Sequence, residues 1–418
     1  MKILLVGATG FIGCHLLAAL TAAGHHIVAT SRRPRATQLP GIEWQVLDLA
    51  VLAENPDHFH IPSDVDLLIN AAGLLSVDAH LVTLAQDQGT RALFGQARLK
   101  GVRVLHISAL GADVQRDVPF LASKAAADAF LMEAGMSAVV LRPSLVVGEG
   151  GASSEWLMRL SPWPVIPVLD TQALVQPLHV DDLVGAVMAL LRKWPDEAMV
   201  LPLVGPEPMT LPALIDQLRA AQGWRPARYW KVPVALTKLG AAIGDRLGWR
   251  ALNRQSLRMA SRDSLADPEV LASVCGYRCA PVHERLDRWP RPAQSVQLAL
   301  RPVMLAVLVL IWLGTAFVSL GPGREWGLRI MAETGVTGFA ASLLIGIGAL
   351  CDAVLGLGLL LRRWRRPALK AQLLLMIAYT LIISVVLPHY WYDPYAAIAK
   401  NLVLMVATLW LYWTEPRR

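Results

Sequence analysis

Residues 1–13 are Met1-Lys2-Ile3-Leu4-Leu5-Val6-Gly7-Ala8-Thr9-Gly10-Phe11-Ile12-Gly13, an apolar run closed by three spaced glycines. Lys2–Val6 is a short apolar run, the pattern of a strand buried on both faces. Three glycines follow at the spacing GxxGxxG, a helix is predicted through Ala23, and His26–Thr30 reads as a second strand. A glycine turn between strand and helix has a physical purpose. It permits the tight turn and lets backbone N–H groups approach a pyrophosphate, while the helix N-terminus supplies a positive dipole end. A glycine triplet alone is weak evidence. In strand–turn–helix–strand order it predicts a doubly wound parallel α/β sheet that holds a dinucleotide.

Working outward, further short segments follow apolar runs in a set order. Asp48-Leu49 comes after a third strand, Glu43–Leu47, and Asn70-Ala71-Ala72-Gly73 ends a fourth, Val65–Ile69. His106-Ile107-Ser108-Ala109 ends a fifth, and Leu141-Arg142-Pro143-Ser144 and Gln176-Pro177-Leu178-His179-Val180-Asp181-Asp182 follow. Over about residues 1–290 this series resembles the extended and atypical short-chain dehydrogenase/reductase (SDR) superfamily. The resemblance implies a Rossmann domain, residues 1–205, and a smaller lid over the substrate, residues 206–290. It further implies cofactor contacts from Gly7, Thr9, Gly10, Phe11, Ile12, Gly13, Asp48, Leu49, Ala71, Ala72, Gly73, Lys124, Pro143 and Ser144. An NAD-selective site places an acid at the end of strand two, on the ribose 2′-hydroxyl. Here that region is Thr30-Ser31-Arg32-Arg33-Pro34-Arg35, with no acid. Arg32 and Arg33 therefore predict a 2′-phosphate, and so NADP(H) in preference to NAD(H). A solvated basic loop is the plain alternative.

The same resemblance exposes a departure. A typical SDR reduces a carbonyl with Ser, Tyr and Lys, the tyrosine giving its proton to the developing alkoxide. Ser108 and Lys124 stand at the expected catalytic positions, but Phe120 occupies the tyrosine position four before the lysine. No tyrosine precedes Tyr229. Phenylalanine keeps the ring and loses the acid, so ordinary tyrosine-dependent carbonyl reduction is not expected. Asp117 or Ser123 would be a replacement donor, although nothing in the sequence demands one. Tyrosine-less relatives occur among atypical SDRs, and the likeness is to the Rossmann-type accessory subunit of respiratory complex I, in which the nucleotide is structural or regulatory.

The rest of the chain has another character. Of 418 residues 55% are hydrophobic and only 17% charged, with mean hydropathy +0.44. Soluble domains carry about 25% charged residues. The net charge of +7 suggests an anionic partner until it is divided: residues 301–418 hold 11 basic and 5 acidic residues, so the front is nearly neutral. That distribution argues against nucleic acid. Four apolar segments, roughly Val303–Leu320, Phe339–Leu361, Ala371–Leu387 and Ala396–Trp413, approach the length that crosses ~30 Å of hydrocarbon. Arg285, Arg288, Arg291, Arg301, Arg362, Arg363, Arg365, Arg366, Lys370, Arg417 and Arg418 fall on one side and Arg324, Arg329 and Lys400 on the other. The positive-inside rule then puts both termini and the Rossmann domain in the cytoplasm, with Tyr390-Trp391-Tyr392 as a far-side aromatic belt. The predicted address is the inner, cytoplasmic membrane, multi-pass, and no secretory signal is read at Met1–Val6. The segment order and Lys400-Asn401 resemble the four-helix DoxX-like membrane family, over residues 303–418, behind a linker at residues 291–302.

Asp352 is the ionisable residue within the apolar stretch, with Lys400 its expected partner, and either a functional or a helix-gluing role is open. Cys275-x3-Cys279 lacks the further Cys or His of a zinc pattern, so no metal is expected. In the lid, Trp224, Tyr229 and Trp230 with Arg225, Arg228 and Lys231 form an aromatic-basic cluster, an ordinary surface or a face for an anionic leaflet. The expected partners are the lipid bilayer and a small lipophilic or quinone-like substrate or a membrane redox partner. Two functions remain in play: an NADPH-preferring oxidoreductase, and a non-catalytic NADPH sensor or assembly factor. A nucleotide-gated transporter, resting on Asp352 alone, ranks behind both.

Overall fold

The computed structural model describes residues 1–418 apart from 36–38, 77, 170–171, 248–252, 288, 395, 397 and 416–418. Arg288, Arg417 and Arg418, counted above for orientation, lie outside the described residues. The chain divides into two compact units, Met1–Val296 and Gln297–Arg418.

The first unit is built on seven parallel strands. These are β1 (Lys2–Val6), β2 (His26–Ser31), β3 (Ile42–Val46), β4 (Leu67–Asn70), β5 (Arg103–Ile107), β6 (Ala138–Pro143) and an edge strand, Met199–Leu203. Their order is edge strand, β6, β5, β4, β1, β2, β3, with Leu4 in register with Val28 on one side and Leu68 on the other. The central strands are mostly apolar because helices cover both faces. Ile3, Leu5, Ile27, Ile69 and Leu105 point to one core with Leu16, Leu20, Leu183 and Leu190. Their neighbours Leu4, Val6, Val28, Leu68 and Val104 point to the other, with Leu52, Leu93, Phe94 and Leu131. The period of two along each strand is thus visible as two separate cores.

β3 and β4 sit one or two residues from their expected bounds. Asp66 ends up outside β4 because its carboxylate takes the Lys2 N–H at 2.7 Å, pinning the strand entrance. The chain runs outward from β1 to β3, then returns to the other side of β1 as β4. The crevice at the C-terminal ends of β1 and β4 is therefore the switch point where this fold binds ligands.

Helix Val180–Arg192 begins with the His179-Val180-Asp181-Asp182 segment, His179 accepting from Asp181 N at 3.3 Å. Asp182, fully buried, takes hydrogen bonds from Tyr277 Oη at 2.9 Å and Arg285 Nη2 at 2.7 Å. One carboxylate therefore fastens the segment 277–285 to the Rossmann core. Within residues 206–290, helix Leu211–Ala221 starts at Thr210, and Arg228–Val232 pairs in parallel with Val165–Leu169.

In the second unit, Leu308, Trp312, Leu359, Leu369, Met376 and Leu411 make a core. Large apolar residues also face outward: Phe317 is 71% exposed, Phe339 82% and Val385 81%. Outward apolar faces on all-helical elements are what a bilayer requires. Among the described residues, three helices are long and apolar enough to cross it, Pro292–Leu320, Gly338–Leu360 and Arg365–Val386. An extra helix, Arg324–Glu333, lies between the first two. The first helix takes in most of residues 291–302, expected to be a linker: a proline is tolerated in a first turn, and Ala293–Leu300 has no helix breaker.

The last helix is shorter than its apolar segment, Ala399–Thr414, 16 residues or about 24 Å. Ala396, at φ 52°, leaves the helical region just upstream. Asp352 is 8% exposed, and among the described residues no hydrogen bond or ion pair joins it to Lys400. Depth explains the failed expectation. Glu415 pairs with Arg301 and with Arg365, whose Nε donates to Leu359 O at 2.9 Å, so the end of the last helix meets the end of the Asp352 helix. Lys400 is some 22 Å from Glu415 along its helix, whereas Asp352 is about 12 Å from Leu360.

Candidate functional site

Gly7 follows β1 at φ 79°, a conformation that favours glycine, and a Cβ there would stand 2.8 Å from Ala72 N. The turn after β1 is thereby pressed against the Ala71-Ala72-Gly73 segment after β4. Gly10 N donates to Gly7 O at 2.9 Å, and a Cβ on Gly13 would fall 2.1 Å from the same oxygen. The helix α1 (Phe11–Ala22) starts at Gly10 without a side-chain cap, which leaves its first N–H groups to a ligand. Close backbone approach, an uncapped helix end and the switch point coincide. These residues fit a dinucleotide pyrophosphate.

Beside the loop lies a cleft of about 540 Å³ lined by Thr9, Ser31, Arg32, Arg33, Arg35 and Asp48. The guanidinium of Arg35 sits 5.0 Å from the centre of the Trp44 ring, while Arg32 and Arg33 are exposed. Asp48 caps the next helix, accepting from Ala50 N at 3.0 Å, and Leu49 is buried behind it. Phe11 packs where sequence reading did not look: a Cβ on Gly151 would come within 2.9 Å of its ring, and His15 Nε2 bonds Glu149 O at 3.1 Å. The run Gly148-Glu149-Gly150-Gly151 was the signal.

Lys124 lies on helix Pro119–Glu133, 3% exposed, and its ammonium donates to Ala72 O at 3.0 Å and Ile107 O at 2.8 Å. It ties together the C-terminal ends of β4 and β5. Burial lowers its pKa to about 8, opposed by the charge of Asp128. Asp128 stands one helical turn further on. Its Oδ2 accepts from Ser108 Oγ at 2.9 Å and from Arg142 Nε at 2.9 Å. Burial raises the Asp128 pKa, while those two hydrogen bonds hold it down. His106 is fully buried beside this acid, its Nε2 3.7 Å from Asp128 Oδ1. Burial and the Lys124 charge push its pKa well below the ordinary value, so the ring is neutral. Asp128 was missed in the sequence, although its place four after Lys124 on one helix face was readable.

Phe120 is half-buried, and both groups that would replace its missing acid are engaged elsewhere. Asp117 is held by Arg262 at 2.6 and 2.9 Å, which lowers its pKa and keeps it ionised. Ser123 Oγ donates to Phe120 O at 2.9 Å and accepts from Gln86 Nε2 at 3.2 Å. Pro143 ends β6, and Ser144 N bonds Leu203 O at 3.0 Å, next to a second cleft of about 450 Å³ lined by Leu110, Asp113, Gln115, Arg142 and Ser264. Arg142 links that cleft to the buried network, its Nη1 3.0 Å from Asp113 and its Nε on Asp128.

Residues 3–201 match the NAD dependent epimerase/dehydratase family and residues 309–409 the DoxX-like family. Among curated relatives, a ceramide reductase of Caulobacter vibrioides is 28% identical over 194 residues, 45% of this chain and 60% of that protein. The mitochondrial NADH dehydrogenase [ubiquinone] 1 alpha subcomplex subunit 9 of Dictyostelium discoideum is 25% identical over 228 residues, 51% and 61% of the two chains. This chain thus spans about three fifths of the length of the curated relatives it matches. Among solved structures, MoeE5 in complex with UDP-glucose and NAD superposes with TM-score 0.53 at 21% identity, covering 72% of this chain and 100% of that one. WbmH of Bordetella bronchiseptica in complex with NAD+ gives TM-score 0.54 at 16% identity, covering 71% and 99%. The chain therefore joins a Rossmann-fold domain similar to the NAD dependent epimerase/dehydratase family to a helical domain similar to the DoxX-like family.

Proposed function

We propose that this is a membrane-anchored, NAD(P)H-binding oxidoreductase of the atypical SDR type that prefers NADPH and acts on a small lipophilic or quinone-like substrate. One observation carries the reading: the cleft at the end of β2 is lined by Arg32, Arg33 and Arg35, without an acid on that strand end, in a chain that continues into apolar helices. The nicotinamide, when bound, supplies a hydride. The chain's own residues do the rest. The Gly7–Gly13 backbone takes the pyrophosphate, Arg32 and Arg33 the 2′-phosphate, and Asp48-Leu49 the adenine side. Ala71, Ala72, Gly73, Pro143 and Ser144 flank the reactive end, with Lys124 fixing the strand ends beneath it. Ser108 keeps its proton on Asp128 and can only accept from the substrate, so the oxyanion left by hydride transfer would take its proton from water. The relative named ceramide reductase supports a lipid as substrate class. The arginine count supports a cytoplasmic Rossmann domain on the inner membrane, with both termini on that side.

A second reading has its own support. Phe120 offers no proton, Ser108 already donates to Asp128, and the Lys124 ammonium already serves two carbonyls. These favour a non-catalytic NADPH sensor or assembly factor, in keeping with the likeness to a respiratory-complex subunit. The test uses full-length protein in detergent. NADPH and NADH are titrated by fluorescence, then NADPH oxidation is followed with quinones and long-chain carbonyl lipids. Turnover selects the first reading, tight binding without turnover the second. No binding at millimolar nucleotide sinks both.

A further inference from the structure

Helix Val234–Leu247 is inverted for an element that only covers a core. Among its described side chains, over residues 235–246, the buried positions are Ala241 and Gly244, whereas Leu236, Leu239 and Ile243 are 51%, 58% and 44% exposed. At 3.6 residues per turn those three side chains fall within an arc of about 60°. Small residues inward and a stripe of large apolar residues outward is the build of a helix that lies in a membrane interface. Lys238 and Arg246 are exposed on the same helix.

The strand before it repeats this composition on a different element. Register pairs Arg228 with Val165 and Trp230 with Pro167, so these four share one face of the two-stranded ribbon. Trp230 is 56% and Val165 52% exposed. Across residues 224–247 the cations Arg225, Arg228, Lys231, Lys238 and Arg246 meet a single acid, Asp245. That acid is engaged by Arg254, from Nε at 3.3 Å. A surface with exposed Trp and Leu, five cations and one neutralised acid complements an anionic, amphiphilic partner.

We propose that this face of the lid, Trp230 with Leu236, Leu239 and Ile243, docks on the anionic lipid surface of the membrane that holds the chain's own apolar helices. The apolar side chains enter the boundary between headgroups and acyl chains, and Arg228, Lys238 and Arg246 meet lipid phosphates. The bilayer is favoured over a second copy or another protein because the chain is membrane-bound. A polybasic and apolar pair of signals is also what stable interfacial binding needs.

The experiment uses the full chain, one copy per nanodisc, in a Cys14→Ser, Cys351→Ser background that removes two exposed thiols. An environment-sensitive nitrobenzoxadiazole label is placed at Leu239→Cys, at Ile243→Cys, or at Leu99→Cys, a control position 89% exposed. In discs of equal phosphatidylcholine and phosphatidylglycerol, the expected result is a blue-shifted emission and loss of iodide quenching at 239 and 243. Position 99 should stay water-like. The shift should shrink in pure phosphatidylcholine and with Lys238→Glu plus Arg246→Glu. Water-like emission at 239 and 243 in every disc overturns the proposal. So does an equal shift in both lipids, or one that appears only with two chains per disc, which would mark a second copy. NADPH titration of the same samples shows that each variant is folded.

Discussion

Arg32 and Arg33 carry the proposed preference for NADPH, and Lys124 a dependence of stability on pH. Both arginines are exposed at the cleft beyond β2. A charge-assisted bond to phosphate contributes roughly 1.5–3 kcal/mol. Arg32→Ala with Arg33→Ala should therefore weaken NADPH binding by about tenfold or more, and leave NADH within about twofold. Equal losses for both nucleotides in a fluorescence titration would remove the case for NADPH. Lys124 makes a prediction about stability against pH. Its ordinary pKa of 10.5 applies in the unfolded chain, and burial brings it to about 8 in the folded one. Between those values the unfolded chain binds more protons, so this lysine's contribution rises with pH across the window, by at most about 1.4 kcal/mol per unit. Thermal melts of wild type and Lys124→Met from pH 8 upward should show their difference moving in favour of wild type. A difference moving the other way would mean that the ammonium stays protonated in its buried site.

At the scale of elements, Asp182 matters most, because it joins helix Val180–Arg192 to the segment 277–285. Asp182→Ala leaves the Tyr277 hydroxyl and the Arg285 guanidinium without their acceptor. The cost is about 1–3 kcal/mol, at the low end because the Arg285 side chain is 39% exposed. Hydrogen exchange should quicken across 277–285 while β1 to β6 keep their protection. Uniform loss of protection would mean that this carboxylate supports the whole sheet. The motif containing Asp182 was legible in the sequence, but as a family signature without a task. Its partners lie about a hundred residues away, and only folding brings them to one oxygen pair. Helix Val234–Leu247 is a similar case. Its composition is plain in the sequence, yet which of its faces is buried was decided by Ala241 and Gly244 packing inward.

At the scale of the molecule, the two units make separate predictions. Met1–Val296 holds its own two-sided core around the sheet, and Gln297–Arg418 a separate helical one. A chain ending at Val296 should therefore stay folded and bind NADPH with the affinity of the full protein, within about twofold. A large loss of affinity or melting temperature in the truncated chain would show that the units are one cooperative body.

The amino-acid sequence determined the architecture, because it is written in local signals. Glycines between a strand and a helix, apolar strand runs and long uncharged stretches depend on backbone sterics and hydration, which act over a few residues. The same signals placed Gly7, Gly10 and Gly13 and the arginines after β2, whereas Phe120 stands out only through the resemblance to the SDR superfamily. Tertiary structure decided what the polar residues do. Ser108 binds Asp128, Asp117 is neutralised by Arg262, and Asp352 lies at a depth that Lys400 does not reach. Such pairings depend on distances of a few ångströms between groups far apart in the chain. A buried charge is stable only where folding supplies its partner.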